Sequence, residues 1–314
     1  MKIATHDGKF HADESFAVFL LTQLPSFAKA EIIRTRDSSI YSQCDAVVDV
    51  GGVFDTSTCR FDHHQLGFTE TFPGFSTKLS SAGLCYREFG KTIIQNRYSN
   101  TLSNDHLILV HTKLYRSFVE AIDAIDNGID QYDLPPNTTP KYCINTDLSK
   151  RVGNLNGYWN QTVDVNAQFH KAVKLVGEEF LEALDYLVSA HLPARSLVKE
   201  AFDNRFSVDS SGSIILLSTP CPWKEILLEI EGNEDILFCI FGTEDGKYRV
   251  CTVPQSSGSF AFRKGLLEEW RGLRGDELVA ACNVEDVDFV HKAGFIGGAL
   301  SLEGALKMAK LSLG

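Results

Sequence analysis

Apolar and polar positions alternate between two periods along the first half of the chain. Residues 3–5 form a short apolar run that ends in polar residues. From residue 13 to 24 the side chains Phe16, Phe19, Leu20 and Leu24 fall at helical spacing, and Pro25 stops the pattern. Residues 30–35 predict a second strand. Residues 45–50 predict a third, mostly apolar, which runs into Gly51-Gly52. Strand–helix–strand units of this kind predict a parallel sheet, and in such sheets chemistry gathers at the carboxyl ends of the strands. His6 and Asp49 occupy that position.

Further helices are predicted over residues 80–89, 114–126 and 165–189. Between the last two lies a stretch, residues 132–158, that carries Pro135-Pro136 and several Asn and Gly residues. It reads as an excursion over the surface, close to a substrate. The texture changes from about residue 205. Three β-rich runs, 213–218, 236–242 and 247–253, are separated by glycine-containing turns, and short helical patterns follow at 263–271 and 304–311. The reading is an α/β chain in two parts: a parallel-sheet domain over 1–190 and a smaller mixed α/β domain over 205–314. Leu192-Pro193 stands as a plausible hinge between them.

Composition narrows the class without naming a chemistry. The 314 residues are 44% hydrophobic and 23% charged, ordinary values for a globular protein. No apolar run approaches the ~20 residues of a membrane span. The start lacks the marks of a secretory signal or a transit peptide, so the expected compartment is cytosol or nucleus. The eight cysteines include no Cys-x-x-Cys pair, which favours small buried hydrophobes over a zinc–thiolate site. A net charge of −11 argues against broad nonspecific duplex binding, although acids gathered around divalent cations would invert the local field.

The candidate chemistry is metal-centred. His6, His11 and Asp13 follow a strand end and reach a helix start, where Asp13 or Glu14 would also suit the helix dipole. Asp49 ends an apolar strand, a place where an ordinary fold needs no acid. Asp62-His63-His64 sets two imidazoles beside an acid, an arrangement suited to a metal or an anion. Carboxylates and imidazoles without thiolate suit Mn, Co, Fe, Mg or Zn. A shared carboxylate can hold two ions roughly 3.5–4 Å apart, the spacing used for in-line attack on phosphorus. Asp123, Asp126 and Asp130, at the end of a helix, are the acids available to add one more ligand. Asp126, at a helix exit before Asn127-Gly128, is the first choice and Asp123 the second.

With these motifs in view the chain resembles the DHH phosphoesterase superfamily, named for the triplet present here as Asp62-His63-His64. Within it, the chain is similar to the eukaryotic family of the melanocyte proliferating gene product. The likeness lies in residues 5–14, 48–52, 60–65, 78–84, 124–128 and 294–298. That family is described as metal-dependent 3′–5′ exonucleases acting on RNA, in nucleus and mitochondrion. The resemblance implies one ion on His6, His11 and Asp49, and a second on Asp13, Asp49 and His63, with Asp49 bridging. His64 would contact the phosphoryl oxygen, and Asp62 would orient His63. His11 stands where the superfamily more often has an acid, which favours Mn over Mg, with Co or Zn also possible.

The resemblance also implies that the smaller domain binds the substrate. Its candidates are Arg263, Lys264, His291 and Gly297-Gly298, with Phe260 and Phe262 nearby. Lys9 is the only cation of the first motif. The expected function is hydrolysis of single-stranded RNA or short oligonucleotides from the 3′ end, by a water made acidic by two cations. Two alternatives stand beside it. One is a phosphohydrolase of pyrophosphate, nucleotides or cyclic dinucleotides. The other is a non-catalytic, metal-dependent interaction protein, whose sign would be a missing ligand; none is missing.

Overall fold

The computed structural model describes the whole chain except residues 134, 136, 137, 233 and 234. Pro136 of the predicted excursion therefore lies outside the described residues. The chain divides into two compact units, Met1–Leu187 and Val188–Gly314.

In the first unit, five strands form one sheet: β1 (Lys2–Thr5), β2 (Glu31–Arg34), β3 (Ala46–Val48), β4 (Phe54–Asp55) and β5 (Arg60–Phe61), in the order β2-β1-β3-β5-β4. β1 pairs in parallel with β2 and β3, and β3 with β5; only the short β4 runs antiparallel. The chain thus goes out from β1 to β2 and returns past β1 to β3. That reversal opens a crevice at the carboxyl ends of β1 and β3. Ile3, Ala4, Val47, Val48 and Phe61 are fully or almost fully buried. Burial on both faces is why these short runs read as continuously apolar instead of alternating.

Helices pack around that sheet. Ala12–Thr22 follows β1, and Phe16 on it packs at a tilt against Phe118 and Phe180, at ring-centroid distances of 5.4 and 5.0 Å. Ser81–Arg97 runs seventeen residues, past the predicted end at residue 89. The helix predicted over 114–126 instead begins earlier, as Asn104–Leu114. It then loosens into a π-helical turn at Tyr115–Val119 and finishes as Glu120–Asp126. Such turns recur at functional sites, and this one sets the direction of the last turn, which carries Asp123 and Asp126.

In the second unit the order is β6-β7-β8-β10-β9, from Ile214–Leu217, Phe238–Gly242, Tyr248–Thr252, Val287–Val290 (β9) and Ile296–Ala299 (β10). Only β6 and β7 pair in parallel. Side chains alternate between two cores: Phe238 and Ile240 face one, Cys239 and Cys251 the other. Two expectations change here. The helical pattern over 263–271 holds only a three-residue 3₁₀ turn, Glu268–Trp270, where Trp270 drops into the core. Gly297-Gly298, expected to meet the substrate, lies inside β10, and β10 is paired along both edges. Its backbone is therefore committed to the ladder. A Cβ on Gly297 would stand 2.6 Å from Met308 Sδ, and one on Gly298 2.5 Å from the Phe289 ring, so close packing explains both glycines.

Candidate metal centre

Three adjacent parallel strands deliver the centre of the cluster. His6 follows β1, Asp49 follows β3, and Asp62-His63-His64 follows β5. The N-terminus of Ala12–Thr22 adds His11, Asp13 and Glu14, and the end of Glu120–Asp126 adds Asp126. Among the described residues three groups of donor atoms result, the atoms of each lying within 4.8 Å of one another: His6, His11, Glu14 and Asp49; Asp13, His63 and Asp126; and Asp49, His63 and His64.

Asp49 stands between the groups and uses its two oxygens separately. Oδ2 is 3.3 Å from His6 Nε2, whereas Oδ1 is 3.6 Å from His63 Nε2 and 3.4 Å from His64 Nδ1. Its backbone has φ of 55°, in the left-handed region, and Gly51 and Gly52 follow at 99° and 64°. The strand thus ends in a tight reversal that turns the carboxylate into the crevice. Strain of this kind persists where surrounding contacts over-determine the geometry.

Asp62 supplies some of those contacts. Its Oδ2 accepts from Gly52 N–H at 2.6 Å, tying the glycine loop to β5. Its Oδ1 accepts from the backbone N–H of His64 at 3.0 Å and lies 2.7 Å from His64 Nδ1. The expected contact of Asp62 with His63 is thus replaced by one with His64. The His64 side chain is 61% exposed, so Asp62 fixes a ring that faces the open cavity.

The fourth acidic position separates cleanly. Asp126 Oδ2 is 3.1 Å from His63 Nε2 and joins the donor group. Asp123 is fully buried and is spent on structure. It accepts from Ser80 N–H and Oγ–H at 3.0 and 2.7 Å, Gly83 N–H at 3.0 Å and Tyr115 Oη–H at 3.0 Å. Burial pushes its carboxyl up to about 7, against the pull of those donors. Asp13 docks on the same helix start: Ala82 N–H and Ser80 Oγ reach its Oδ1 at 2.5 Å each, and Ser81 N–H reaches its Oδ2 at 3.2 Å.

The charges of the cluster fit a cation. Burial works to lower the His6 imidazolium, yet Asp49 and Glu14 hold it at about 10. His63 is held at about 10 against the same burial, by Asp126 and Asp49. Burial would raise the Asp49 carboxyl, but His6 and His63 keep it at about 2. Burial together with Asp126 and Asp49 raises Asp13. Among the described residues, Asp49 Oδ1 and both ring nitrogens of His63 are buried without a hydrogen-bond partner. Buried atoms of that kind are normally satisfied. Lone pairs converging from carboxylates and imidazoles, with no thiolate among them, are the donor set of a divalent cation.

A cavity of about 840 Å³ opens over the cluster, and its wall includes Arg36, Ser149, Lys150 and Ile125. The cation that the first motif offered, Lys9, is not among the residues of that wall. Arg36 and Lys150 lie far from the motifs in the chain and carry no local signature. Arg36 pairs with Asp7 at 3.3 Å. Glu14 was visible only as an acid at a helix start, although its place three residues after His11 fits a capping box.

The substrate candidates of the second unit have other partners. Arg263 is 7% exposed, forms an ion pair with Glu231 and donates to the Ile236 carbonyl at 3.0 Å. Lys264 donates to the Leu313 carbonyl. His291 accepts from Ala293 N–H through Nδ1 at 3.1 Å and packs on Phe295, and Phe260 is fully exposed.

Comparison with known proteins then places the chain. The family model MYG1_exonuc, described as an uncharacterised protein family (UPF0160), matches residues 2–313. The MYG1 exonuclease of Bos taurus is 45% identical, covering 99% of this chain and 84% of its own length. The MYG1 exonuclease of Homo sapiens is 44% identical over 99% of this chain and 85% of its own length. The MYG1 protein of Dictyostelium discoideum is 44% identical over 98% and 95%.

Proposed function

Because the chain belongs to the MYG1_exonuc family, we propose that it is a metal-dependent phosphodiester hydrolase of the DHH type that removes nucleotides from the 3′ end of single-stranded RNA or short oligonucleotides. The observation that carries this reading is the placement of Asp49, whose two oxygens face His6 on one side and His63 and His64 on the other. That is the arrangement a bridging carboxylate requires. One divalent ion, with Mn favoured, is assigned to His6, His11 and Asp49. The other is assigned to Asp13, Asp49, His63 and Asp126. When bound, such a pair lowers the pKa of water towards neutrality and offsets charge on the phosphoryl oxygens.

The protein's own groups do the positioning. Asp62 holds His64 at the mouth of the cavity, where its ring can donate to a phosphoryl oxygen as negative charge builds. Arg36 and Lys150 supply positive charge for phosphates beyond the scissile one. No side chain need act as nucleophile. On the second unit, Lys264 and His291 remain the candidates for substrate contact, because Glu231 holds Arg263 and the β10 ladder holds the backbone of Gly297-Gly298. The resemblance implies the nucleus and mitochondrion as compartments.

The test is a hydrolysis screen of the Mn-supplemented protein against oligoribonucleotides, oligodeoxyribonucleotides, dinucleotides and pyrophosphate. The expected result is stepwise release of nucleoside monophosphates from the 3′ end of RNA. Turnover of pyrophosphate alone, or of none of the four, would overturn the reading.

A further inference from the structure

We infer that Glu14 is a fourth protein ligand of the cation assigned to His6, His11 and Asp49, an inference that rests on the metal-dependent reading above. Glu14 is fully buried. Among the described residues its one backbone donor is the His11 N–H, shared between Oε1 at 2.9 Å and Oε2 at 3.0 Å. That contact closes a capping box on the Ala12–Thr22 helix. Capping accounts for the contact with His11. It does not account for where the rest of the carboxylate points.

Oε1 lies 3.0 Å from His6 Nε2, and Asp49 Oδ2 lies 3.3 Å from the same nitrogen. The other ring nitrogen, Nδ1, is 2.9 Å from the Asp7 carbonyl oxygen. A carbonyl can only accept, so Nδ1 carries a hydrogen and Nε2 is the ring atom that faces the two carboxylates, as an N–H donor in the metal-free imidazolium and as a lone pair once a cation displaces that proton. The three atoms sit this close only with a positive centre among them, a proton in the metal-free protein or a cation in its place. Separations near 3 Å are those between neighbouring ligands that each stand about 2.1 Å from one ion. The His6, His11, Glu14 and Asp49 donors already meet within 4.8 Å.

The consequence is chemical. Two imidazoles would soften the site, and Glu14 returns a hard oxygen donor to it. With Asp49 it also brings the carboxylate charge to two, enough to balance a divalent ion. The sequence pattern assigns no metal role to this position, because an acid three residues into a helix has a sufficient explanation as a cap.

Glutamine at the same position also completes a capping box, so Glu14→Gln separates the two roles. Mn2+ is titrated into metal-stripped wild type, E14Q and E14A, with free Mn2+ counted by electron paramagnetic resonance and unfolding followed without metal. Wild type should bind two ions. E14Q should unfold at the wild-type midpoint, yet bind one of the two ions at least about tenfold more weakly, since carboxylate charge sets affinity at such sites. E14A should lose both affinity and stability. A folded E14Q that binds both ions as wild type does would reduce Glu14 to a cap. Wild type that binds no Mn2+ would defeat the metal-dependent reading itself. Should E14Q not fold, anomalous diffraction from Mn-soaked wild-type crystals decides: Glu14 Oε1 within about 2.2 Å of an ion supports the assignment, and a carboxylate turned away from both ions overturns it.

Discussion

A single carboxylate, Asp62, shows how much rests on individual contacts around the cluster. It touches no donor group assigned to a cation, but it ties Gly52 to β5 and fixes the ring of His64. Asp62→Ala should therefore lower turnover by roughly 10–100-fold while leaving bound Mn near its wild-type level. Loss of the metal itself in that variant would show that Asp62 shapes the Asp49 loop more than it orients His64. His111 gives a separate prediction away from the metals. It is buried beside Tyr86, with ring centroids 4.7 Å apart, and burial holds its imidazole down at about 4 against the backbone carbonyl of Tyr86. Because the folded value lies below the ordinary 6.5, the stability it contributes is complete above pH 6.5 and is lost as pH falls through about 4. Unfolding free energies of the metal-free protein should therefore fall faster with acid in wild type than in His111→Gln, by up to about 1.4 kcal/mol per pH unit in that window. Parallel curves would contradict it. His6 and Asp49 were legible in the sequence because each ends an apolar run. The partner of Asp62 was not, because adjacency to His63 does not decide which ring the backbone turns back toward the acid.

At the scale of elements, the start of the Ser81–Arg97 helix organises the acidic side of the cluster. Its first turn donates to both Asp13 and Asp123. A Cβ on Gly83 would stand 2.3 Å from Asp123 Oδ2. Gly83→Ala should then cost about 1–3 kcal/mol, read as a lowered Tm of the metal-free protein, and should weaken Mn binding through the displaced neighbour Asp13. An unchanged Tm would mean that the helix start yields without cost. The choice between Asp123 and Asp126 was open in the sequence for a geometric reason. Residues three apart on a helix project within about 60° of each other, and only packing against Ser80 and Tyr115 separates their roles. The strand β10 escaped notice because Gly297 and Gly298 interrupt the apolar pattern that marks a strand, and β9 because Val287–Val290 is only four residues long with Asp288 inside it. The helical spacing over 263–271 misled for the opposite reason: Leu266, Leu267 and Trp270 reach the core from an irregular loop.

Across the whole molecule, the chemistry-bearing residues cluster in the first unit, Met1–Leu187, around the ends of three parallel strands. The second unit carries the buried Arg263–Glu231 pair. Arg263→Ala would strand that carboxylate, so denaturant unfolding of the second unit should show a loss of about 3–5 kcal/mol while bound Mn stays unchanged. Unaltered stability with a raised Michaelis constant for an oligoribonucleotide would instead give Arg263 to the substrate. The parallel sheet and most of the donor set could be read from spacing alone, since strand ends and motif order are local properties. The cavity wall could not, because Arg36 and Lys150 meet it only through the fold. The central claim is that the Asp49-centred cluster is the hydrolytic centre. Its most direct test measures bound Mn and oligoribonucleotide hydrolysis on the same folded samples of wild type and Asp49→Ala. The account predicts that the variant keeps its fold but loses bound Mn and falls to background turnover. Near-normal turnover by a folded Asp49→Ala protein would contradict it.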